Sequence, residues 1–210
     1  MEQQPTGKRP VALAVALILL VFSVMGNVLL LTKNIEHTRS SAEREGEAIF
    51  AGFAGSRDYL EHMGQYAEQL LQLAGTDADA ARLTAAHMAD AAVREGKVIA
   101  SLMAKAEETG GSGFAGAGQA AADYLSVRVG EELKRIGEGA GPLAPEEREA
   151  AEAIQSTFDD LSKIVSSFHF AMEGSRGAMI RLSSGFEWLD VAERMHDRML
   201  EPAPADAASE

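Results

Sequence analysis

Residues 145–172 read PEEREAAEAIQSTFDDLSKIVSSFHFAM, and the period inside this stretch decides the fold. Ala151, Ile154, Phe158, Leu161, Val165, Phe168 and Met172 recur at alternating spacings of three and four. That period lines one face of an α-helix with apolar groups and leaves the charged residues on the other face. Pro145 suits the first helical position, where a missing N–H costs nothing, and Glu146 and Glu147 follow where the helix dipole favours acids. A helix is therefore expected from Pro145 to about Met172.

The same period extends through the chain before it. Ala42, Gly46, Ile49, Phe53, Ser56, Leu60, Met63, Ala67, Leu70 and Ala74 form a heptad-type seam without a charge, weakened at Gly46 and Ser56. Gly75-Thr76-Asp77 reads as a stop followed by a new N-cap. A second helix is expected over about Ala78 to Glu108, with Glu95 the one charge on its apolar face. Five glycines between Thr109 and Gly118 break the pattern. A third helix is expected over about Gln119 to Ile136, and a last one over about Phe186 to Leu200, with room for a short helix around Met179, Ile180 and Leu182. Val, Ile and Thr form no alternating run, so no strand is expected. The fold class is all-α, an antiparallel bundle of four to five helices. Pro202 to Glu210 has nothing to bury and is expected to be disordered.

Val11 to Leu31 is a 21-residue stretch without a charge, interrupted only by Ser23, Gly26 and Asn27. As a helix it is about 30 Å long, the thickness of a hydrocarbon core. A cleavable signal peptide is the competing reading, with Val24-Met25-Gly26 a passable cleavage site. Val28 to Leu31 continue the apolar run past it, which favours a retained anchor in the lipid bilayer. Lys8 and Arg9 lie before the anchor, and Lys33, Arg39 and Arg44 after it, so basic residues alone do not set orientation. The short basic tail favours a cytoplasmic N-terminus and an extracytoplasmic remainder. The expected layout is a tail at 1–10, an anchor at 11–31, a bundle domain at 33–201 and a C-terminal tail at 202–210. No proline falls between Leu31 and Gly75, so the anchor and the first bundle helix can be continuous.

Composition narrows the chemistry. The 210 residues hold 19 Lys and Arg against 32 Asp and Glu, a net charge of −13. Nucleic acid is not an expected partner, since affinity for phosphate backbones comes from clustered cations. The absence of cysteine excludes disulfides, thiol nucleophiles and Cys-based metal sites. With 37 alanines and 6% aromatics, the core must be built from small side chains on closely spaced helices.

Few motifs carry chemistry. Gly111-Ser112-Gly113-Phe114-Ala115-Gly116 fits G-x-G-x-x-G, but a helix precedes it where the dinucleotide fingerprint needs a strand. Glu193 and His196 form one Glu-x-x-His unit, whereas a di-iron bundle needs two plus further glutamates. No G-x-S-x-G elbow surrounds a serine. Asp159-Asp160 and Glu107-Glu108 read as solvated acids. No catalytic, cofactor-binding or metal-ligating residue is assigned on this basis, and no cofactor is expected. Phe158, Val165, Phe168, Met172 and Trp188 are the candidates for packing or docking.

The order of basic tail, anchor and helical heptads resembles the first half of four-helix-bundle chemoreceptor and kinase sensor domains. The layout is also similar to small, single-pass, membrane-anchored helical proteins of Gram-positive spore-forming bacteria. That likeness rests on the anchor Leu17-Ile18-Leu19-Leu20-Val21-Phe22-Ser23-Val24-Met25-Gly26-Asn27-Val28 followed by Ala- and Glu-rich helices. The expected role is a non-enzymatic module contacting a protein partner or a second copy of itself. A ligand-sensing ectodomain that signals through a separate membrane partner is the alternative.

Overall fold

A computed structural model describes residues 9–201. The chain is all-α, with α1 Arg9–Leu73, α2 Ala78–Glu95, α3 Lys97–Gly110, α4 Ala117–Asp123 and α5 Glu131–Glu138. There follow α6 Pro145–Ser166, α7 Arg176–Leu182 and α8 Leu189–Leu200, and no strand occurs among the described residues. A π-helical segment, Tyr124–Gly130, joins α4 directly to α5. Short 3-10 turns occupy Gly111–Phe114 and Phe170–Met172. The tails expected before residue 9 and after residue 201 lie outside the described residues.

The described residues fall into two compact units, divided between Ala42 and Glu43. In the first, the large apolar side chains from Leu13 to Leu31 are exposed. The most apolar 18-residue window there has a mean hydropathy of 2.7 and is not buried at all. This is one helix long and apolar enough to cross a membrane, near the N-terminus. The second unit begins at Glu43, and the buried stripe of α1 starts at Gly46.

Within the second unit α2 and α3 form one run broken at Gly96, and the run from α4 to α5 lies antiparallel to it, with Gly118 against Ala104 and Gly137 against Ala86. The α1 seam is buried from Gly46 through Leu70, including Ile49, Phe53, Ser56, Leu60, Met63 and Ala67. Gly46 does not weaken it: a Cβ there would lie 1.8 Å from the Met179 carbonyl oxygen, so α7 rests its backbone on this spot. Gly52 and Gly55 face Leu102 and Val98 of α3, while Tyr66 meets His87 of α2 edge-on at 5.1 Å. On the other flank, Tyr59 meets Phe158 of α6 at 6.2 Å. α2 and α3 pack against α5 and α4 respectively, and α8 packs along α6.

Three helices differ from their periodicity. The expected second helix breaks at Gly96, and Glu95 is exposed there instead of sitting on the buried face. The third runs longer than expected, from Ala117 to Glu138, with the π segment inside it. The fourth ends at Ser166, although Phe168 and Met172 beyond it are buried. Ser167 Oγ donates to the Ile164 carbonyl at 2.6 Å, a local bond that competes with continuing the helix. The chain then turns so that the Phe168 ring stacks on Phe53, with centroids 4.1 Å apart and planes 4° from parallel.

One buried ion pair ties four segments together. Arg82 of α2 is buried and forms a two-pronged pair with Glu147 of α6, at 2.8 and 2.9 Å. Its remaining donors reach the carbonyls of Ile136, Gly141 and Pro142 at 2.5, 3.1 and 3.1 Å. All five guanidinium N–H groups are thereby used, which is the condition under which a buried arginine is tolerated. Glu147 in turn accepts from the Ala144 N–H at 2.8 Å, which caps α6. The Arg82 bonds hold the Glu147 carboxyl below the usual range. Arg82→Met should cost about 3–5 kcal/mol in thermal unfolding, because it leaves Glu147 and three carbonyls without their donor. Because the folded carboxyl titrates below an ordinary glutamate, at about 4.3, the pair's contribution is fully present above that pH and lost as pH falls through the folded value. Glu147→Gln should therefore flatten this part of the acid limb of a stability-versus-pH curve.

Candidate functional site

Small residues bring two helical segments close enough to create an irregularity. A Cβ at Gly118 would lie 2.9 Å from the Ala104 Cβ, and one at Gly137 would lie 2.9 Å from the Ala86 Cβ. The segment from Gly118 to Gly137 therefore touches the α2–α3 segment at both ends. Between those contacts lie nineteen steps on one side and eighteen on the other. The π segment takes up the surplus, since each π turn holds an extra residue relative to an α turn. Gly96, where α2 ends and α3 begins, faces this swelling: a Cβ there would lie 2.9 Å from Leu125 Cδ1. The break and the bulge accommodate one another.

On its outer side the π segment opens a groove against α6 and the end of α8. The cavity holds about 590 Å³. Val129 and Ile154, both buried, contribute to its floor together with Ala150 and Ala153. Tyr124 and Arg128 of the π segment form one wall, with the Arg128 guanidinium 5.9 Å from the Tyr124 ring centre. Burial raises the Tyr124 phenol above its ordinary pKa, so it stays neutral. Glu132, Glu146, Glu149, Glu152 and Glu201 line the groove, against two arginines.

Both arginines are engaged. Arg198 donates to Asp160 Oδ2 at 3.2 Å, Glu201 Oε2 at 3.1 Å and Thr157 Oγ1 at 3.2 Å. Arg128 donates to the Glu201 carbonyl at 3.0 Å. Lys163 and Arg198 hold Asp160 below the usual carboxylate range. The groove thus combines an apolar floor, a neutral phenol and a rim with excess negative charge. This arrangement can select an occupant by shape and charge.

The five residues singled out from the sequence lie elsewhere. Phe158, Val165, Phe168, Met172 and Trp188 are all buried in the core. Trp188 is fully enclosed: its Nε1–H donates to the Leu182 carbonyl at 2.7 Å and its ring meets Phe53 edge-on at 6.1 Å. Phe170, half-buried beside Phe168, carries the Arg57 guanidinium 4.5 Å over its ring. Gly111 to Gly116 follows a helix. Among the described residues no three His, Cys, Asp or Glu side chains converge on a metal-sized point. The sequence signals that lead to the groove are indirect: Tyr124 and Arg128 one turn apart, and glycines placed opposite alanines.

No family model, curated protein or solved structure matches this chain.

The single tryptophan reports directly on this packing. Its native emission should be blue-shifted and resist acrylamide quenching. Phe168→Ala, which removes a ring stacked on Phe53, should cost about 3–5 kcal/mol.

Proposed function

We propose that the protein is a single-pass, membrane-anchored binding module, with its N-terminus cytoplasmic and its helical bundle extracytoplasmic. The bundle is non-enzymatic in this reading and acts as a ligand-binding ectodomain, signalling through a separate membrane partner. The observation that supports it is the groove beside the π segment, whose volume falls in the range of small-molecule sites. π-helical turns are also retained preferentially at functional sites. Contact with a protein partner or a second copy is the second reading, favoured by Leu83, Val127 and Leu200, which stay exposed on the second unit.

Reporters active on one side of the membrane, fused after Ala74 and after Glu210, should both report outside; inside signals from both overturn the orientation. For the binding role, the full chain in neutral detergent should show a saturable rise in Tm with at least one small organic cation, anion or neutral solute. Ala153→Trp, which fills the groove, should abolish that rise. A pure contact scaffold shows no rise with any of them.

A further inference from the structure

We propose that the groove takes a linear aliphatic polyamine, its methylene body lying on the apolar floor and its ammonium groups meeting Glu146, Glu149 and Glu152. The inference rests on the binding-module reading and adds the chemical class of the ligand.

Charge selects the class. Glu132 is paired with Arg135, and Glu201 with Arg198. Glu146, Glu149 and Glu152 are exposed, and none of them has an ion-pair partner among the described residues. The groove's two cations are already committed to Asp160, Glu201, Thr157 and the Glu201 carbonyl. An anion would have to displace those bonds and face three carboxylates that have no salt-bridge partner among the described residues. A cation meets the carboxylates with nothing to displace.

Spacing and surface select the shape. The three glutamates follow one another at every third residue of α6, each step combining a rise of about 4.5 Å with a turn of about 60° around the helix, and all three line the groove. That suits ammonium groups separated by three- or four-carbon linkers. Between the acids and the core, Ala150, Ala153 and Ile154 offer methyl and methylene surface to those linkers. Tyr124 forms the opposite wall, its ring already carrying the Arg128 guanidinium at 5.9 Å. Compact metal cations gain nothing from an apolar floor, and the described residues offer no cluster to coordinate one.

Isothermal titration of the full chain in neutral detergent, with spermidine as the probe, tests the inference. Saturable one-to-one binding that weakens with added salt is expected. The exposed triple variant E146Q/E149Q/E152Q should lose about tenfold or more in affinity. The control E61Q/E68Q, on exposed positions of α1, should leave affinity unchanged. Equal losses in the triple and control variants would mean diffuse attraction to an acidic protein and would overturn the proposal. Suberate and 1,8-octanediol separate the two levels of the argument. If either binds in an Ala153→Trp-sensitive way while spermidine does not, the groove is a binding site and the polyamine assignment is wrong. If none of the three binds, both readings fall.

Discussion

The approach of two helical segments to backbone contact, at Gly118 against Ala104 and Gly137 against Ala86, is the constraint from which the rest of the second unit follows. Side chains larger than hydrogen at either glycine would push the segments apart. With both contacts closed, one segment has a residue more than the other to place between them. A regular α-helix cannot absorb that surplus without rotating Leu133 and Ile136, both buried, out of the core. The π segment absorbs it locally. Gly96 on the facing helix yields to the bulge, and on the outer side the bulge leaves the space that becomes the groove.

A core rich in alanine gains less from burial per residue than one built of leucine and phenylalanine, because apolar area sets the driving force. Two clusters offset this. Phe50, Phe53, Phe168 and Trp188 bring large rings together where α1 meets the turn after α6 and the start of α8. At the other end of the bundle, Arg82 and Glu147 bind the end of α5, the following loop and the start of α6 to α2. Such a pair is costly to break once it is buried, and its geometry admits one register of the four segments.

Periodicity made much of this legible beforehand. The α1 seam, the Pro145 start of α6, the short helix near Met179 and the apolar segment before residue 32 were all readable from spacing and composition. The departures have definite physical causes. The stripe from Ala151 to Met172 continues past the helix end because buried side chains can keep their places when the backbone beneath them changes form. Ser167 and the Phe53–Phe168 stack make that change. Glu95 falls on the apolar stripe only if one helix passes straight through Gly96, where the chain in fact breaks. Arg82 was invisible as a core residue, since nothing in its neighbours announces a glutamate 65 residues away. The groove was equally hidden: it arises from a mismatch in length between two packed segments, which no local window contains.

The chain of cause thus runs from small residues, to close helices, to a π turn, to a groove whose rim is acidic. That the π segment carries one surplus residue can be tested by deleting Val127, which is exposed within that segment. Thermal unfolding of the full-length deletion variant, followed by Trp188 emission, gives the answer. The account predicts a cooperative transition within a few degrees of the parent, because deletion restores a regular helix with Leu133 and Ile136 still facing inward. If the segment holds no surplus, the deletion turns those residues by about 100°, and loss of the cooperative transition would contradict the account.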